Sequence, residues 1–190
     1  MEVSKKLSNS SSEAPYNMII KAVGFIRNNI NKPFLAAGDS GIEIQGEFDD
    51  IRAKIRKSSQ ETSEIIINRE LVGILDGIEQ YSHLLVFYWA HKVPEKSRLL
   101  TKVHPMGRKE APLAGIFCTC SPARPNPVLM TVVKLSEVNG NVLKVTGLDA
   151  VDGSPVIDIK PYFRESYPQE EVFIPEWMRK LQQEAHDCQK

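Results

Sequence analysis

Arg124 and Asn126 lie in Ser121-Pro122-Ala123-Arg124-Pro125-Asn126-Pro127, where prolines repeatedly fix φ and remove backbone donors. A loop this stiff can present a cationic fork and an amide to a ligand. It reads equally well as a plain proline-rich turn with Arg124 in water. A second stretch, Gly147 to Tyr162, crowds Asp149, Asp152 and Asp158 together, with Lys160 two residues after the last. Carboxylates beside a cation are the groups that general acid–base chemistry uses. Asp152-Gly153 is equally a turn signal, and Asp158 and Lys160 would share one face of a strand and could neutralise each other. His83, His91, His104, Cys118 and Cys120 are the candidate metal ligands. Zinc favours Cys-x₂₋₄-Cys or His-x₃₋₅-His pairs, and the chain has neither, so no metal site is expected. Cys118 and Cys120 are expected as small buried hydrophobes in a strand.

Several function classes find no support. No Gly-x-Gly-x-x-Gly or Walker-type string occurs, and no Gly-x-Ser-x-Gly elbow. Lys+Arg and Asp+Glu number 24 each, so binding nucleic acid by bulk charge is disfavoured; a local basic patch remains open. Arg52, Lys54, Arg56 and Lys57 form such a patch, or simply a solvated surface. No apolar run approaches the ~20 residues that span a bilayer, and no signal peptide opens the chain, so a cytoplasmic location is expected. The three cysteines argue against a disulfide scaffold.

The elements that must position these residues are mostly strands. Residues 1–15, rich in serine, are expected to be a disordered leader. Met18 to Ile26, Ile42 to Phe48, Ile65 to Ile67, Leu84 to Ala90, Ile116 to Thr119, Val128 to Leu135, Val142 to Thr146 and Val156 to Ile159 are strand candidates. Arg27 to Ser40 reads as a loop and Asp49 to Ser63 as a polar excursion. Leu71, Ile74, Leu75 and Ile78 follow a helical period, and Pro175 to Ala185 reads as a closing helix with Trp177, Met178 and Leu181 on one side. Asn139-Gly140 is a hairpin signal. Strands without regular helix alternation predict a mainly β fold, a small antiparallel barrel or sandwich, over a doubly wound sheet.

Three strings together resemble a known family. Tyr81-Ser82-His83-Leu84, then Gly115-Ile116-Phe117 through Arg124-Pro125-Asn126-Pro127, then Leu148-Asp149-Ala150-Val151-Asp152-Gly153-Ser154-Pro155-Val156-Ile157-Asp158-Ile159-Lys160-Pro161-Tyr162 are similar in order and spacing to the TrmO (TsaA-like, YaeB) family. The resemblance runs from about Ile19 to Tyr162. It implies a small β-barrel methyltransferase domain over residues 16–165 with a helical tail over 166–190. It also implies a homodimer that uses S-adenosyl-L-methionine to methylate N6 of threonylcarbamoyl-adenosine at tRNA position 37. Alternatives are a methyltransferase on another RNA or small acceptor, or a non-catalytic binding module.

Carried over by position, the resemblance puts Asp39, Ser40, Gly41, His91, Lys92, Cys120, Met130, Ala150, Val151, Asp152 and Gly153 at the cofactor. Members often have Arg-Gln-Pro-Gly where this chain has Asp39-Ser40-Gly41, and Thr-Arg-Ser-Pro where it has Thr119-Cys120-Ser121-Pro122. An arginine that faces the cofactor is thus Cys120 here. Val128-Leu129-Met130-Thr131 replaces the usual Ile-Gly-Leu/Met-Ser. Longer members carry a C-terminal domain, whereas 28 residues follow Tyr162 here. Asp152 suits the sulfonium charge, Arg124 or Lys160 a carboxylate or phosphate, Asp149 or Asp158 the base, and Tyr162 an orienting donor, with Asn126 beside them.

Overall fold

The computed structural model describes residues 18–33, 35–38, 41–44 and 60–187. Its centre is a closed antiparallel barrel of six strands. In chain order the strands of the molecule are β1 (Gly24–Arg27), β2 (Leu35–Gly38), β3 (Gly41–Ile44), β4 (Ser63–Ile67), β5 (His83–Trp89), β6 (Lys102–Val103), β7 (Ala114–Gly115), β8 (Val128–Asn139), β9 (Val142–Thr146) and β10 (Pro155–Pro161). The barrel order is β1-β10-β5-β8-β9-β4, with β4 returning to β1. β2 pairs with β3 and β6 with β7 as separate two-stranded ribbons. One α-helix, α1 (Glu176–Asp187), ends the described chain.

Alternation explains why the barrel closes on a dry core. In β4 every second residue (Ser63, Ile65, Ile67) is buried, and in β9 Leu143 and Val145 are. Ile26, Leu84, Val86, Tyr88, Val133 and Val156 complete the interior. Each such aliphatic side chain, moved from water to the core, contributes about 1.5–3 kcal/mol. β1 crosses β4 so closely that a Cβ on Gly24 would lie 2.2 Å from the Ile66 carbonyl oxygen. Only glycine allows that approach. A register shift between Val156 and Asp158 marks a bulge in β10, which re-aims the strand as it leaves the mouth of the barrel.

The mainly β expectation holds, and several element boundaries need correction. Met18 to Val23 precede β1 rather than belonging to it, and Ile19 is 81% exposed. Part of the expected loop from Arg27 to Ser40 pairs as β2, a Leu-Ala-Ala-Gly stretch with little intrinsic strand signal. The expected helix around Leu71 is two 3₁₀ turns, Arg69–Leu75 and Ile78–Gln80, divided by Gly77 at φ 85°. Leu75 is buried and Leu71 and Ile78 pack on the core, while Ile74 is exposed. Ile116–Cys118 is a 3₁₀ turn rather than a strand, so Cys118 and Cys120 are exposed thiols, not buried hydrophobes. At the hairpin only Gly140 takes positive φ, at 58°, while Asn139 stays paired with Val142. The leader, residues 45–48, the Arg52–Lys57 cluster, and Asp39 and Ser40 lie outside the described residues.

Candidate functional site

β5 and β10 are antiparallel, so the end of β5 at Tyr88 meets the start of β10 at Val156. The chain just past β5 (Ala90 to Val93) and the turn just before β10 (Asp149 to Ser154) therefore share one mouth of the barrel. Between them opens a cavity of about 230 Å³, walled also by Pro33, Cys120, Pro122 and Leu129. Its surface is mostly apolar, and Asp149 is the one carboxylate residue among those lining it. His91 and Lys92 are the cationic or titratable nitrogens there.

Asp149 is held from inside the barrel. The Tyr88 hydroxyl donates to its Oδ1 at 2.7 Å, and the Thr131 hydroxyl donates to the same oxygen at 2.6 Å. Tyr88 is 2% exposed. Burial, and then the charge of Asp149, push its phenol far above the ordinary tyrosine range, so it stays a donor at every physiological pH. Thr131 reaches Asp149 because Leu129, Thr131 and Val133 share the inner face of β8.

The turn over the cavity is fastened to the residues after β1. Asn28 donates its side-chain amide to the Ala150 carbonyl at 2.9 Å, and its own backbone N–H goes to Asp152 Oδ1 at 2.9 Å. The Asp152 N–H reaches the Ile30 carbonyl and the Gly153 N–H the Ile26 carbonyl. Gly153 makes the bend at φ 77°. His91 faces this turn, its Nδ1 3.2 Å from the Ser154 hydroxyl. Burial, then the neighbouring Lys92 charge, hold its imidazole below the ordinary value despite Asp152. Lys92 donates to the Asn31 carbonyl at 2.8 Å. The site thus offers an apolar slot, a fixed anion, a neutral imidazole and a cation at the rim.

Residues 47–166 match the family model of the tRNA-methyltransferase O N-terminal domain. The chain belongs to that family. A probable S-adenosyl-L-methionine-binding protein of Methanothermobacter thermautotrophicus is 42% identical over 146 residues, 77% of this chain and 90% of that protein. An S-adenosyl-L-methionine-binding protein of Archaeoglobus fulgidus is 41% identical over 148 residues, covering 78% and 91% of the two chains. The human tRNA (adenine(37)-N6)-methyltransferase is 38% identical over 112 residues, which is 59% of this chain and 25% of the human one. In structure, the chain is similar to TrmO from Pseudomonas aeruginosa with a TM-score of 0.57 and 21% identity, over 83% of this chain and 61% of that one. That likeness is one of fold.

With the family in hand, the residues expected at the site divide by place. His91, Lys92, Cys120, Asp149, Ala150 and Val151 line the cavity. Asp152 and Gly153 shape the turn through their backbone and side-chain bonds without lining it. Met130 alternates with Leu129 and Thr131, so it faces the outside of the barrel, 52% exposed. Gly41 opens β3. Arg124 bonds the carbonyls of Ser121 and Thr119 and so holds its own loop, which is the structural side of the two readings open for it. Asn126 is exposed beside it and does not line the cavity. Lys160 and Asp158 pair with each other at 2.5 Å on the barrel exterior. Tyr162 stacks on Tyr167 and meets His83 edge-on at the opposite end of β5. Six residues of strand, at roughly 3.3 Å each, put it about 20 Å from the cavity mouth. Tyr88, Thr131 and Ser154 are site residues that the sequence reading missed. Tyr88 and Thr131 sit at inward-facing positions of β5 and β8, which mark core and site alike, and Ser154 lies in the turn before β10.

Proposed function

We propose that this protein is an S-adenosyl-L-methionine-dependent methyltransferase whose acceptor is N6 of adenosine 37 in tRNA, in its threonylcarbamoyl form. The observation that carries the reading is the family match over residues 47–166 together with a charged cavity built from family strings at one mouth of the barrel. The donor set fits the cofactor. An apolar slot suits a purine and a thioether chain, Asp149 suits a cation, and Lys92 at the rim suits a carboxylate. The cofactor, when bound, supplies an electrophilic methyl group.

What remains for the protein is orientation and proton management. The acceptor nitrogen is a weak nucleophile, because purine and carbonyl both withdraw its lone pair. His91, held neutral, can accept the proton that leaves it, with the Ser154 hydroxyl fixing the ring. The turn from Asp149 to Ser154 supplies one wall of the slot. Arg124 acts at one remove, by stiffening the loop that carries Cys120 and Pro122 into the wall.

The protein acts as a cytoplasmic homodimer in this reading. Exposed Met130 and Val132 on the outer face of β8 supply apolar surface for a second copy, and no described helix is long and apolar enough to cross a membrane. A second reading, in which the acceptor is another RNA or a small molecule, fits the archaeal relatives equally, since their names state cofactor binding alone. Incubation with methyl-labelled cofactor and tRNA that has or lacks the threonylcarbamoyl group distinguishes them. The first reading expects label in the modified nucleoside alone. Label in neither tRNA overturns it.

A further inference from the structure

The sulfonium charge of the methyl donor was expected beside Asp152, yet that carboxylate accepts the Asn28 N–H and does not line the cavity. Asp149 does line it, as the sole carboxylate residue in an otherwise mostly apolar wall. Both hydroxyl donors that reach Asp149 converge on Oδ1. Oδ2 has no hydrogen-bond partner among the described residues. The arrangement leaves one oxygen saturated and the other available to a ligand, in a fixed position. Tyr88 comes from β5 and Thr131 from β8, neighbouring strands of the barrel, so the carboxylate is set by the rigid part of the fold and not by its own turn.

We propose that Asp149 is the counter-charge that tips this cavity toward a sulfonium ligand and away from the neutral thioether left after methyl transfer, with Tyr88 and Thr131 as its positioning residues. The proposal rests on the cofactor reading above. It gives the site a way to release its product: the same ligand skeleton loses an ion-pair partner once the methyl group has gone. Asp149 is exposed at the mouth, so its apolar neighbours raise the worth of such a pair only modestly over its value in open water. His91 and Lys92 are the other charged or titratable nitrogens on the wall, and the Lys92 ammonium donates to the Asn31 carbonyl.

Titration calorimetry on the full chain tests this with two probes, S-adenosylmethionine and S-adenosylhomocysteine. The readout is the ratio of their dissociation constants, thioether over sulfonium. Asp149→Asn keeps the side-chain shape, and the ratio is expected to fall about tenfold, equivalent to about 1.4 kcal/mol. Tyr88→Phe and Thr131→Val are expected to lower the ratio by a smaller factor, and Thr131→Ser to restore it. Thermal melts of each variant check folding. A purely structural role for Tyr88 or Thr131 would weaken both ligands together and leave the ratio in place. An unchanged ratio in Asp149→Asn, with the wild type binding both probes, overturns the proposal alone. A wild type that binds neither probe overturns the cofactor reading, and the proposal with it.

Discussion

At the scale of single residues, His91 is the group whose protonation the fold opposes most clearly within the physiological range. Its ordinary pKa is 6.5, and burial followed by the Lys92 charge lowers it in the folded chain. The unfolded chain therefore takes up a proton first as pH falls. Stability contributed by the neutral ring is present above about pH 6.5, declines as pH drops below that value, and levels off beneath the folded pKa. The melting temperature of the wild type should accordingly fall between about pH 7.5 and about pH 5.5 by more than that of His91→Gln. Parallel melting curves across that window would show the reverse, that the ring is as free to charge in the fold as out of it. Arg124 illustrates the opposite kind of residue. It carries full charge in a rigid loop, the pattern of a ligand site, and spends its donors on the carbonyls of Ser121 and Thr119. Sequence could not separate these uses, because what a guanidinium bonds is decided by which carbonyls the loop leaves unpaired.

At the scale of elements, the cavity depends on the join between the end of β1 and the turn before β10. The Asn28 side chain makes three contacts there: its amide donates to the Ala150 carbonyl and to the Ser63 hydroxyl, and its oxygen accepts the Ile30 N–H. Asn28→Ala leaves buried backbone groups without partners, at a cost of about 1–3 kcal/mol. Calorimetry should show weaker cofactor binding in step with a lower melting temperature, since the turn that covers the slot loses its fastening. Full retention of both would remove Asn28 from the account. β4 and β9 were legible because a short run of β-branched and aliphatic residues is a local property; the alternation of their burial came with the fold. β2, β6 and β7 were not, because each is a strand only by virtue of a partner elsewhere in the chain. The stretch around Leu71 misled for a related reason. Leu71, Leu75 and Ile78 do reach the core, but Gly77 at positive φ breaks the coil into two 3₁₀ turns that still deliver them. The same limit governed the site. The Asp149 to Ser154 turn was visible as a string, while its partners Tyr88 and Thr131 became visible only when β5 and β8 were laid side by side.

At the scale of the whole molecule, a chain with 24 basic and 24 acidic residues has no bulk attraction for RNA. If tRNA is the acceptor, its affinity must come from a local patch, and Arg52, Lys54, Arg56 and Lys57 are the densest run of basic residues. Alanine at all four should weaken tRNA binding and flatten the dependence of log affinity on log salt by up to about 3–4, near the slope expected for four phosphate contacts. Filter binding over a salt series reads both, and an unchanged slope would assign the RNA to another face. The barrel itself separates two ends: the cavity mouth at Tyr88 to Val93 and Asp149 to Ser154, and the aromatic end at His83, Tyr162 and Tyr167. Under the proposed function the methyl donor binds at the first of these. Amide hydrogen exchange, followed by mass spectrometry with and without S-adenosylmethionine, measures that placement directly. Slowed exchange over residues 88–93 and 149–154, with residues 160–167 unaffected, is the predicted result. Protection confined to 160–167, or none anywhere at saturating ligand, would contradict it.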